Sequence, residues 1–104
     1  MEILINTDNN ISASEEMRSY LRADLEAAFE RFADHLTRLE VKISDENGNK
    51  EGEKDKKCVL EARLKGMQPL VVTSHGNSID QALTEASNKM KTSLDSTMGK
   101  LRSY

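Results

Sequence analysis

The last third of the chain predicts one strand followed by one long helix that can bury only a single side. Residues 71–74 are suited to a strand, and residues 78–101 repeat apolar or small side chains at spacings of three and four. At about 100° per residue these positions fall within an arc of roughly 80°. They are Ile79, Leu83, Ala86, Met90, Leu94, Thr97 and Leu101. So narrow a stripe fits a helix lying on a sheet, and it is typical of a binding scaffold rather than of an active site.

A short strand and a helix precede this unit at the start of the chain. Residues 2–6 form the predicted strand. Ser12 and Glu15 have the spacing of a capping box, so we expect Ser12 to cap a helix that ends near Ala33. The predicted buried stripe is Met17, Leu21, Leu25, Ala28 and Phe32, with Tyr20 and Phe29 on its flanks.

The middle of the chain predicts a hairpin and a further strand. Residues 37–45 and 58–65 alternate between apolar and polar side chains on either side of a charged, glycine-containing loop. We expect residues 46–56 to form a mobile tip with no structural role. Residues 70–75 continue the meander, and Ser78 is the expected cap of the last helix.

The resulting order, β-α-β-β-β-α, predicts an α+β two-layer sandwich. Both helices would pack on one face of a four-stranded, mainly antiparallel sheet, and the other face would be charged and solvated. The length predicts a single domain over residues 1–104. A single cysteine and the absence of a signal peptide or an apolar span in the sequence predict a cytoplasmic protein.

The charge distribution leaves two candidate binding surfaces. One is a partly basic flank of the last helix, with Lys89 and Lys100 and with Lys91 and Arg102 nearby; Thr92 and Ser96 share its side. The other is the polar sheet face, which carries Arg38, Lys42, Lys57, Arg63 and Lys65. Either could also be an ordinary solvated surface. The formal net charge of −3 argues against strong non-specific binding to nucleic acid.

Catalytic and metal-binding patterns are poorly supported. His35, His75 and Cys58 lack close ligand spacing, and Cys58 lies on the apolar phase of its strand, which indicates a buried side chain. The loop acids Glu46, Glu51, Glu53 and Asp55 lack calcium-loop spacing. We therefore expect no enzyme activity, no cofactor or metal, and no small-molecule substrate.

The chain resembles the ribosome hibernation factors, also called the sigma-54 modulation or ribosome-associated inhibitor family. The resemblance rests on the element order, the length and the segment 75–80 running into Ala82-Leu83 and Asn88-Lys89-Met90. Residues 3–6 and 17–21 also fit. The chain is similar to the short members, which lack the C-terminal dimerisation domain of the long ones.

This resemblance implies a fold similar to the double-stranded-RNA-binding domain and a ribosomal function. It implies binding to the small subunit near the decoding region and inhibition of translation under stress, without catalysis. The resemblance matches basic positions of the family at Lys89, Lys100 and Arg18. Together with the charge distribution, it leads us to expect contacts with ribosomal RNA from Lys89, Lys100, Arg18, Arg63, Lys91 and Arg102. The alternative is a protein-interaction or regulatory module of the same fold without strong RNA affinity, which the acidic first helix and the negative net charge favour.

Overall fold

The secondary structure follows the predicted order. The computed structural model describes residues 1–8, 11, 13–46 and 55–102, with residues 100–102 described by their backbone alone. The strands are β1 (Glu2–Thr7), β2 (Leu36–Asp45), β3 (Lys56–Leu64) and β4 (Leu70–Gly76), and the helices are α1 (Glu15–Ala28) and α2 (Ile79–Arg102). Among these residues no helix is long and apolar enough to cross a membrane.

The four strands form one mixed sheet in the order β1-β2-β3-β4. β1 pairs with β2 in parallel, because α1 carries the chain back between them; the other two pairings are antiparallel. The register places Val41 opposite both Ile5 and Leu60, and Leu60 opposite Val72. Apolar side chains therefore share one face of the sheet, as the predicted two-layer sandwich requires.

The core lies between that face and the two helices. The predicted inward positions of β2 and β3 are all buried. They are Leu39, Val41, Ile43, Cys58, Leu60, Ala62 and Leu64. On α2 the predicted Leu83, Ala86, Met90 and Leu94 are buried, but so are Ala82, Ser87 and Met98. At about 100° per residue the buried arc is roughly 160°, twice the predicted width. The predicted arc was too narrow because it left out Ala82, Ser87 and Met98, whose side chains are also buried.

The first turn of α1 corrects the predicted cap. Ser14, not Ser12, is the N-cap, and its Oγ accepts a hydrogen bond from the Met17 N–H at 3.1 Å. This cap needs no reciprocal side chain at the third helical position. It places Glu15 and Glu16 in the first turn, where carboxylates favour the helix dipole.

The end of α1 also differs from the prediction. The α-helix ends at Ala28 rather than near Ala33, and a 3₁₀ turn follows over Glu30–Phe32. Because a 3₁₀ turn has three residues per turn, Phe29 and Phe32 point to the same side. Both rings are buried, with centroids 6.4 Å apart, so Phe29 is a core residue and not a flanking one.

The base of the hairpin is structured, which contradicts part of the predicted mobile tip. Residues 47–54 lie outside the described residues. At its ends, Asp55 is buried and Lys56 begins β3. The Lys56 ammonium lies 3.1 Å from carboxylate oxygens of both Asp45 and Asp55, and the Glu46 N–H donates to the Asp55 carbonyl. Two buried carboxylates thus share one cation where the strands meet.

Candidate functional site

The cysteine is part of the core and is poorly suited to nucleophilic chemistry. Cys58 is fully buried, and burial raises the pKa of its thiol to about 12. A thiol with so high a pKa carries almost no thiolate near neutral pH. Within the described ranges no group of three or more His, Cys, Asp or Glu side chains could hold a metal ion. The candidate site is therefore sought on the surface.

Arg18 is directed at the sheet rather than at solvent. Its guanidinium donates from Nη1 to the Ile5 carbonyl at 2.9 Å and from Nη2 to Thr7 Oγ1 at 3.2 Å. Both acceptors belong to β1, so Arg18 ties α1 to the edge strand that α1 follows in sequence. Its side chain is half-buried. The structure thus gives this predicted RNA contact an internal role.

The two predicted lysines in the middle of α2 also have partners within the fold. Lys89 Nζ donates to the Thr73 carbonyl of β4 at 2.8 Å. Lys91 Nζ lies 6.0 Å from the centroid of the Phe29 ring, at the outer limit of a cation–π contact. The two lysines therefore point to opposite sides of α2, one towards β4 and the other towards α1. Lys89 lies on the predicted flank, whereas Lys91 lies on the other side of the helix.

The side chain of Arg63 lies on the open face of the sheet, in a hollow that it shares with Lys42 and Glu61, at the end of the sheet towards which α2 runs. Arg63 is near the end of β3, its side chain is half exposed, and its Nε is 3.2 Å from Glu61 Oε1. The Lys65 N–H donates to the carbonyl of His35, and His35 borders the same hollow as Met98 of α2. The last turn of α2 carries Lys100 and Arg102, whose side chains lie outside the described part. The backbone thus brings three of the six predicted residues to one end, which we call the basic end.

One cation that sequence analysis missed fastens the 3₁₀ turn to α2. Arg31 forms a two-point ion pair with Asp95, with contacts of 2.7 and 3.0 Å, and its guanidinium lies 4.1 Å from the centroid of the Phe32 ring. Asp95 raises the pKa of Arg31, chiefly through this hydrogen bonding. The only sequence signal was the position of a basic residue next to an aromatic one, which does not identify a partner so distant in the chain.

The charges of the helix layer are mainly negative. Residues 13–34 and 78–99 together carry nine acidic and five basic side chains, a net charge of −4. Two of the five bases, Arg18 and Lys89, donate to groups on the sheet, and Arg31 is paired with Asp95. The layer therefore offers phosphate groups an unfavourable electrostatic environment over most of its surface.

The open face of the sheet is close to electrically balanced. Arg38 pairs with Glu2 at 2.9 Å, and Lys57 lies 3.7 Å from Glu46. Glu40 stands directly across from Glu61 in the middle of the face. At the basic end Arg63 is paired with Glu61, and the sequence adds two further cations, Lys100 and Arg102.

Comparison with known proteins gives one family match over almost the whole chain. Residues 4–102 match the family model described as sigma 54 modulation protein / S30EA ribosomal protein. A comparison with curated protein sequences gave no match.

Solved structures with the same fold include two bacterial proteins. One is a ribosomal subunit interface protein from Coxiella burnetii, with a TM-score of 0.74 and 13% identity, covering 95% of this chain and 99% of that one. The other is the N-terminal domain of Protein Y from Thermus thermophilus, with a TM-score of 0.68 and 18% identity, covering 89% and 94%. At these identities the likeness shows a shared fold.

Proposed function

The chain belongs to the sigma-54 modulation protein / S30EA ribosomal protein family, and we propose that it binds the small ribosomal subunit near the decoding region and inhibits translation under stress. Membership makes it a ribosome-associated factor. The observation that carries the proposal is the family match from residue 4 to residue 102, which includes most of β1, all of the other strands and both helices. The site of action would be the cytoplasm, where ribosomes translate.

The proposed mechanism is occupation of space and needs no chemical step. The Cα positions extend over 50 × 25 × 19 Å, a body large enough to obstruct a channel through which RNA passes. Its rigidity comes from the core between the sheet and α2. An inhibitor of this kind acts for as long as it is bound, so its affinity and its salt dependence determine its effect.

We place the contacts with ribosomal RNA at the basic end. Arg63, Lys100 and Arg102 are the candidates, because Arg18 and Lys89 have acceptors within the fold. If each contacts one phosphate, removing all three should lower the slope of log affinity against log salt by about two to three units. The overall charge of −3 predicts weaker binding than that of a strongly basic domain.

Co-sedimentation with purified small subunits at two salt concentrations tests this function. We expect co-sedimentation at low salt, a marked loss at high salt, and inhibition of translation in a reconstituted system at low salt. The triple variant Arg63→Gln, Lys100→Gln, Arg102→Gln should bind more weakly and with a shallower salt slope.

A matched triple variant, Arg22→Gln, Lys42→Gln, Lys57→Gln, removes the same charge elsewhere and should retain most of the binding. A folded wild-type protein that fails to co-sediment at either salt concentration would refute the proposed function. Equal losses in the two triple variants would refute the assignment of the basic end.

A further inference from the structure

A groove with an exposed aromatic rim separates the first turns of the two helices, at the end of the molecule opposite the basic end. Its hollow measures about 380 Å³. One wall is formed by Met17, Tyr20 and Leu21 of α1, and the other begins at Ile79 and Asp80 of α2. Tyr20 is 58% exposed, although it stands beside a largely apolar lining. We call this feature the Tyr20 groove.

One carboxylate residue, Asp80, lines the Tyr20 groove, and two more lie beside Tyr20 on α1. Glu16 and Asp24 lie four residues before and after Tyr20, so they flank it on the same side of α1, one turn away in each direction. Asp80 contributes to the lining from the first turn of α2. All three are exposed, and no ion pair within the described residues involves any of them.

The cation that lines the groove does not reverse this charge. The Lys56 ammonium contributes to the lining, but it lies 3.1 Å from Asp45 and 3.1 Å from Asp55. These three side chains together carry one negative charge. The groove therefore combines a largely apolar lining with a net negative charge on the ionisable side chains in and beside it.

Helix stability does not account for all of these acids. Glu16 and Asp80 lie in first turns, where a carboxylate stabilises the helix through its dipole. Asp24 lies in the second half of α1, nearer the C-terminal end, where a carboxylate gains nothing from the dipole. The last turn of α1 contains no basic residue to offset it. A negative charge thus lies beside an exposed tyrosine at a position where the helix dipole does not favour it.

We propose that the Tyr20 groove binds a cationic polypeptide segment, with an apolar side chain of the segment seated against Tyr20 and Met17 and with Lys or Arg on either side of it. The charge complementarity with Glu16, Asp24 and Asp80 selects this partner, because the same carboxylates repel the phosphates of RNA. This surface goes beyond the proposed function: it gives the domain a protein contact at one end and an RNA contact at the other. Tyrosine suits the anchor because it combines a large apolar area with few rotatable bonds.

Calorimetric titration with a short synthetic peptide tests the groove without any ribosome, so its outcome is independent of co-sedimentation. The probe contains Lys and Arg around a central Leu, and its twin carries Glu in place of the cations. We expect the cationic peptide to bind in low salt and its acidic twin not to bind. Tyr20→Ser should weaken binding at least fivefold, as for an aromatic anchor. Glu16→Gln with Asp24→Asn should weaken it about 2- to 30-fold, the range of two exposed ion pairs.

The control is the pair Asp34→Asn with Glu85→Gln, which removes the same charge from exposed positions that neither line the groove nor lie one helical turn from Tyr20. This pair should change affinity less than twofold. No binding of the cationic peptide to the wild-type protein would overturn the proposal, as would equal effects of the two charge-neutralised pairs. Displacement of the peptide by a short oligouridylate would show that the groove accepts RNA and would overturn it too.

Discussion

Gly76 should be intolerant of even a single added methyl group. It closes β4 immediately before α2, and it is buried. A Cβ at this position would lie 2.7 Å from the backbone nitrogen of Ala82 and 3.1 Å from its Cα. These atoms belong to the first turn of α2 and cannot rotate away as a flexible side chain could. Gly76→Ala must therefore shift α2 away from the sheet.

The size of the effect follows from two opposing terms. Overpacking of a well-packed site typically costs about 1–3 kcal/mol, and contact with rigid backbone favours the upper part of that range. Replacing glycine with alanine also restricts the unfolded chain, which returns about 0.4–1 kcal/mol. We expect the free energy of unfolding to fall by about 2 kcal/mol. For a domain of this size that corresponds to a decrease in Tm of roughly 8 °C.

Urea unfolding followed by circular dichroism measures this change, and Gly99 provides the matched control. Gly99 lies in α2 with nothing within 4 Å of an added Cβ. Gly99→Ala should stabilise the protein by about 0.5–1 kcal/mol, since alanine favours the helix. The same chemical change is thus expected to have opposite signs at the two positions. If Gly76→Ala proved neutral or stabilising, the close approach of α2 to the end of β4 would be wrong.

Three further changes test the core and the internal role of Arg18. Leu83→Ala should lower the free energy of unfolding by about 2–5 kcal/mol in urea melts, because this side chain is 1% exposed; a loss below about 0.5 kcal/mol would contradict its burial. Arg18→Gln should lower the free energy of unfolding by about 1–3 kcal/mol, because it removes two hydrogen bonds to β1. Arg22→Gln, on the exposed side of α1, should lower it by less than about 0.5 kcal/mol. Equal losses in the two variants would argue against the role of Arg18 in holding α1 to β1. Burial raises the pKa of Cys58 from 9.0 to about 12, so the folded state favours the neutral thiol. The resulting contribution to the free energy of unfolding is fully present below pH 9.0. It decreases by about 1.4 kcal/mol per pH unit as the pH rises from 9.0 to about 12. Unfolding measured at pH 8 to 10.5 should show this slope in the wild type and not in Cys58→Ala.

The element types could be predicted because the alternation in the strands and the helical spacing in α2 each continue over many residues. The alternation around Val41 and Leu60 selects one sheet face, and the spacing from Leu83 to Leu94 selects one helix side. Ser78 was identified correctly as a cap, since its Oγ accepts from the Gln81 N–H. In each case a local pattern and the tertiary burial agree.

The failures occurred where distant contacts determine local geometry. The 3₁₀ turn that buries Phe29 depends on packing against the core, which helical periodicity does not report. Sequence could not reveal that Arg18 and Lys89 have acceptors within the fold, because an exposed cation and one with an acceptor elsewhere in the fold look alike in sequence. Asp55 was assigned to a mobile tip because its charge suggested solvent, whereas it is buried beside Lys56. The grouping at the basic end required knowing which strand end lies near the end of α2.

The hydrogen bond from Lys89 to Thr73 bears on whether the domain remains monomeric at high concentration. β4 is an edge strand, and such a strand presents backbone groups on which another chain can add. The Lys89 ammonium donates a hydrogen bond to the Thr73 carbonyl. An incoming strand that pairs with this carbonyl would have to displace the ammonium, and its backbone would then lie beside a positive charge. Lys89→Ala should leave this edge open and promote concentration-dependent association in sedimentation velocity, and an unchanged monomer would argue against such protection. The hydrogen bond of Lys89 thereby protects this edge of the sheet against the addition of another strand.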